Sequence, residues 1–128
     1  MSQKSFQLEV STQSLPDDDF RISVCVRHIL ALDDFGDAVV QVELPTCYHL
    51  RDRPRVGENS VTDLYRTHDG DDETVFIHYR FAGIEKVWFT LTASTDSFDE
   101  SIRSNRYGTV YVYETDHSER FAFVNYTD

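Results

Sequence analysis

Lysine is nearly missing from this chain: the 128 residues include only Lys4 and Lys86, against 10 Arg, 15 Asp and 8 Glu. The formal charge of -11 that results repels phosphate backbones at long range, which sets general nucleic-acid binding aside. Glycine is scarce too, and five residues in all supply no glycine-rich loop that would cradle a phosphate. Two cysteines cannot build a disulfide framework. No apolar run approaches the ~20 residues of a membrane helix. The longest stretches, Val24–Leu32 and Val87–Ala93, are broken by charged or hydroxyl side chains. Membrane insertion is therefore not expected.

What the chain does have is enough to bury a core: 40% hydrophobic residues and 13% aromatics in one domain's length, read as a single domain over 1–128. Short carboxylates in excess over lysine are the composition expected of a halophile. At molar salt, with a Debye length of ~3 Å, most of the self-repulsion disappears. The opening residues, Met1–Val10, lack the basic and apolar segments of a signal peptide. The expectation is a protein made without one that reaches a virion or cell exterior by another route.

Period two dominates the chain. Phe6, Leu8 and Val10 alternate with polar residues, as do Ile22, Val24 and Val26, and Val40, Val42 and Leu44. Val75, Ile77, Tyr79 and Phe81 form one phase; Val87, Phe89, Leu91 and Ala93 form another; Val110 and Val112 follow, and Phe121 and Phe123 close the series. Each run reads as a strand with one apolar face. Turn formers such as Pro16-Asp17-Asp18-Asp19 and Asp69-Gly70-Asp71 separate them. No window has helical periodicity, and Leu50–Arg55 and Val61–Arg66 read as short turns or an irregular edge. Half-buried antiparallel strands in this number predict an all-β fold, an immunoglobulin-like antiparallel β-sandwich of seven to eight strands.

Between Phe20 and Tyr113 several features follow a recognisable order. Gly57-Glu58-Asn59-Ser60 precedes a strand, and Gly83 precedes Val87–Ala93. Asp96, Asp99-Glu100-Ser101 and Ser104-Asn105 then lead into Val110–Val112. This order resembles the cell-adhesion-related (CARDB) family of immunoglobulin-like domains, with Arg106 where the family's signature has a second Asn. The resemblance implies a non-catalytic module used in adhesion or assembly.

Sites of chemistry are few. Asp96, Asp99 and Glu100 share a turn that suits calcium only weakly, since it lacks the spacing of a calcium-binding loop and reads more simply as a solvated cap. The five histidines are scattered, and Cys47 with His49 is at most half a zinc site. Cys25 and Cys47 are expected to be free thiols. No nucleophile is linked by motif to a base, so no enzyme, metal or cofactor is expected.

The aromatics are more telling. Phe76 and Trp88 fall opposite the core phase of their strands, and Tyr107, Tyr111 and Tyr113 line one face beside Tyr126. Large rings on a solvated face usually meet a partner. With Arg51, Arg53 and Arg55 of the polar connection Cys47–Ser60, these are the expected partner-binding residues. The expected function is a non-catalytic structural or assembly protein, such as a virion accessory that decorates a capsid or tail. Its partners would be other structural proteins, a second copy of itself included. The rivals are an adhesion module of a larger exported protein, and a carbohydrate-binding module with Trp88 and the tyrosines as one glycan platform.

Overall fold

A computed structural model of the chain describes residues 6–28, 35–51, 55–56, 61–82 and 86–127. The side chains of residues 35, 55, 56 and 82 fall outside that description, as do Arg53, Gly57–Ser60 and Gly83 altogether.

Alternating apolar residues drive strand formation here because each strand has one face to bury. The strands in chain order are β1 (Phe6–Ser14), β2 (Phe20–His28), β3 (Phe35–Glu43), β4 (His49–Leu50), β5 (Arg55–Val56), β6 (Val61–Asp69), β7 (Asp72–Ala82), β8 (Lys86–Ser94), β9 (Tyr107–Glu114) and β10 (Phe121–Thr127). Eight of them are long, from the seven residues of β10 to the eleven of β7; β4 and β5 are two-residue pieces. One antiparallel sheet runs β1-β2-β8, with β4 and β5 both on the far edge of β8; the other runs β10-β9-β3-β7-β6. The expected antiparallel sandwich is present. Its sheets follow the immunoglobulin order, with β1, β2, β8 and β4 facing β10, β9 and β3. The β6–β7 hairpin widens the second sheet beyond β3.

One core cluster fills the space between the sheets. Phe20, Ile22, Val24 and Val26 of β2 and Val87, Phe89, Leu91 and Ala93 of β8 meet Val40, Val42, Ile77, Tyr79, Val110 and Val112 from the other side. Two buried polar groups there bridge elements. His28 stacks on Phe81 at 3.9 Å between ring centres, and its Nε2 lies 3.0 Å from the Tyr79 hydroxyl. The buried Glu73 carboxylate accepts the Leu50 amide at 2.6 Å and lies 3.3 Å from His68, which joins β7 to β4 in the opposite sheet.

Three expectations need correction. Val61–Asp69 is a full nine-residue edge strand rather than an irregular segment. A bulge between Val61 and Asp63 shifts the register, so Val61 and Leu64, three apart in sequence, both pack on the core. That spacing hides the strand from a period-two reading. Second, a five-residue helix, α1 (Glu100–Ser104), does form, too short to show periodicity and nucleated by its cap at Asp99. Third, β10 has the opposite phase from the one read in the sequence. Ala122 and Tyr126 pack on the core, whereas Phe121 and Phe123 point outward. The cause sits on the neighbouring strand. Gly108 pairs with Tyr126, and a Cβ there would overlap both the Glu43 carbonyl oxygen and the Tyr126 ring. Tyr126 fills the space that glycine leaves, and its hydroxyl donates to the Glu43 carbonyl at 2.7 Å. Two phenylalanines are thereby turned to solvent.

Candidate functional site: an aromatic sheet face

The outward phase of the five-stranded sheet is where rings collect. Register places Phe123, Tyr111, Gln41, Phe76 and Tyr65 in one row across all five strands. Phe121, Tyr113, Val39 and His78 form the next row, which ends on β6 at the exposed Asp63. With strands ~4.8 Å apart, a five-strand row spans roughly 19 Å. Tyr65 stacks on Phe76 at 4.9 Å and on His78 at 5.5 Å, and Tyr111 leans on Phe123 at 5.9 Å.

Val39 shows how tightly these rings close. It lies on the outward phase between Tyr113 and His78, yet it is only 1% exposed and stands apart from the main core. Tyr113 and Tyr65 approach each other from opposite sides of it. The Tyr113 phenol is shifted above the usual tyrosine range, by partial burial first and by the nearby Tyr65 phenol second. The face is thus a small second apolar cluster over which, among the described residues, no further layer lies. Phe121 is 44% and Phe123 55% exposed at its β10 side. The polar residues beyond its upper row are already paired, with Arg80 Nε donating to Asp37 at 3.2 Å.

Phe76, Tyr111 and Tyr113 each point outward, as their strand phases predict, and register brings them to one face. Tyr107 shares their outward phase but stands at the start of β9, 65% exposed, beyond the two rows and beside Thr67, Asp72 and Thr74. Trp88 does not join them: it is on β8, on the outward side of the other sheet. A single platform of Trp88 and tyrosines does not exist. Tyr65, His78, Phe121 and Phe123 join this face without being expected there, the first two through the bulged β6–β7 hairpin and the last two through the inverted phase of β10.

The arginines divide differently. Arg51 is exposed but its guanidinium holds Asp19 at 2.6 Å. With Arg103 on Asp18 at 2.7 Å and Arg106 on the Asp18 carbonyl, it ties down the Pro16–Asp18 turn. Arg51 is therefore committed to the fold. Arg55 contributes backbone to β5, and Arg53 lies outside the described residues.

Asp99 caps α1, accepting the Ser101 amide at 3.0 Å and its hydroxyl at 2.7 Å, which holds its carboxyl below the usual range. Among the described residues no group of three His, Cys, Asp or Glu is placed to hold a metal. Both cysteines are free. The Cys47 thiol is pushed up by partial burial and by Asp71, Asp72 and Asp99, the reverse of what a thiolate nucleophile needs. His49 faces Ser94, with Nε2 and Oγ 3.3 Å apart.

No family model and no curated protein matches the chain. Among solved structures it is similar to the chitin-binding domain of Chi18aC from Streptomyces coelicolor, at 18% identity and a TM-score of 0.46, over 71% of this chain and 81% of that one. It is also similar to a DUF4466 family protein from Parabacteroides merdae, at 10% identity and a TM-score of 0.51, over 98% of this chain and 43% of that one. The second likeness is one of fold alone.

Proposed function

We propose that this protein is a non-catalytic contact module of a repeating exterior assembly, and that the aromatic face of its five-stranded sheet docks on a second copy of the chain. One observation carries the reading: an apolar cluster, five strands wide, that no other described residue covers, on a sheet whose other side already has its core. Monomeric proteins rarely leave such a face open, and tyrosine and phenylalanine are enriched at the centres of interfaces.

The choice of partner rests on chemistry. The two rows contain rings, Val39, Gln41 and one histidine, with Asp63 at the β6 end and with Asp37 and Arg80 beyond them neutralising each other. The centre of this surface is apolar, and an apolar patch is complementary to itself in a two-fold dimer. A non-catalytic role is supported by the buried titratable side chains, since Asp19, Glu73 and His28 each serve as a tie within the fold. The resemblance to cell-adhesion-related domains points the same way.

Two copies each carrying -11 repel at low ionic strength. Screening to ~3 Å at molar salt leaves the apolar contact to act alone. Light scattering at rising protein concentration is therefore expected to give a monomer mass in dilute buffer and a dimer mass in molar salt. A monomer under both conditions at every concentration would overturn the proposal.

A further inference from the structure

Trp88 stands alone on the other sheet, and its surroundings differ in kind. It is 48% exposed, and among the described residues no ring or guanidinium covers it. In register it faces Cys25, and the next outward pair along the two strands is Lys86 opposite Arg27. On the neighbouring strand Gln7 faces Arg27 and Glu9 faces Cys25. Gln7, Glu9, Cys25, Arg27 and Lys86 line a surface notch of about 180 Å³.

The pairing of Arg27 with Lys86 is unexpected. Like charges directly opposite on antiparallel strands destabilise the pair. The chain has only two lysines and 23 acids, yet sets one lysine against an arginine; among the described residues neither is ion-paired. A carboxylate between them turns that repulsion into attraction. The guanidinium offers a two-pronged hydrogen bond and the ammonium a point charge.

Beside this cationic pair lies a free indole face. An indole suits the C–H face of a six-membered sugar ring, apolar in its body and polar at its rim. Outward residues two apart on a strand are ~7 Å apart, so a ring on Trp88 brings a substituent to Lys86. Gln7 and Glu9 complete the rim with hydrogen-bonding groups for hydroxyls. The Glu9 carboxylate also disfavours a second anionic group, which argues against phosphate or polysulfated ligands. The notch is smaller than the ~300–1,000 Å³ of drug-sized sites, so together with Trp88 it suits one sugar residue rather than a chain.

We propose that Trp88 and the adjoining notch bind a single acidic sugar residue, a uronate, its ring on Trp88 and its carboxylate at the notch, bridging Arg27 and Lys86. The site is independent of the dimer face on the opposite sheet.

Trp88 is the only tryptophan, so its fluorescence reports this site directly. Titration with glucuronate is expected to give a saturable change, with glucose about tenfold weaker, as loss of a charge-assisted contact implies. Arg27→Gln and Lys86→Gln should each erase that preference. In a Cys47→Ser background, glucuronate should also slow alkylation of Cys25, the remaining thiol. Tyr111→Ser and Phe123→Ser should leave the titration unchanged, which separates this site from the dimer face. No saturable response, an equal response to glucose, or a preference untouched by Arg27→Gln and Lys86→Gln would each overturn the proposal.

Discussion

The two outward sheet faces share one core and one strand geometry, yet they carry opposite chemistry. On β1, β2 and β8 the outward phase reads Gln7, Glu9, Ser11, then Ser23, Cys25, Arg27, then Thr90 and Thr92, with Trp88 the lone ring. On the five-stranded sheet the same phase gathers Tyr65, Phe76, Tyr111, Tyr113, Phe121 and Phe123 around a buried Val39. A sheet needs only one apolar face to fold. The second apolar face goes beyond what one core needs, and in the proposed function it is the surface that meets a second copy.

The strongest way to break this difference is to disturb what aims β10. Gly108→Ala would force a methyl into the Glu43 carbonyl and the Tyr126 ring, and should cost about 3 kcal/mol in chemical denaturation. A cost near zero would mean that Gly108 does not set the phase of Phe121 and Phe123. Next comes a matched pair on the central strands. Val39→Ala should lose about 2 kcal/mol because its site is closed over by rings. Its counterpart on the polar face, Thr90→Ala, should cost under about 1 kcal/mol. Equal losses would show that the aromatic cluster is open to water rather than packed.

A smaller effect, about 1 kcal/mol at neutral pH, is expected for Tyr126→Phe, which removes the hydrogen bond to Glu43. Its pH dependence is the sharper test. Burial first, then the Glu43 charge, raises the Tyr126 phenol well above the ordinary tyrosine value. The folded state therefore favours the neutral form, and that contribution is complete below the unfolded value near pH ~10. It is lost as pH rises from there through the folded value, so stability should fall above about pH 10. Tyr126→Phe should show a shallower alkaline fall than the parent chain; an identical fall would remove Tyr126 from the account.

The two faces also differ in how far the sequence reveals them. The core phases of β2, β7, β8 and β9 were legible because both neighbours of each strand are paired and period two runs unbroken. The outward placement of Phe76, Tyr111, Tyr113 and Trp88 followed from the same count. Grouping them was not legible, since register and sheet order decide that Trp88 lies on the opposite side. β6 was hidden by one extra residue, and β10 by a glycine whose missing side chain matters only once Tyr126 is seen against it. At Arg51 the charge was plain, and its commitment to Asp19 was a matter of three-dimensional placement.

The central claim is that the ring-bearing face, and not the Trp88 face, joins copies of this protein. Its most direct test is the solution mass, in molar salt and at matched concentration, of three chains: the parent, Tyr111→Ser/Phe123→Ser and Trp88→Ala. The account predicts a dimer for the parent and for Trp88→Ala, and a folded monomer for Tyr111→Ser/Phe123→Ser. A dimer that survives Tyr111→Ser/Phe123→Ser, or one that dissolves with Trp88→Ala, would contradict it.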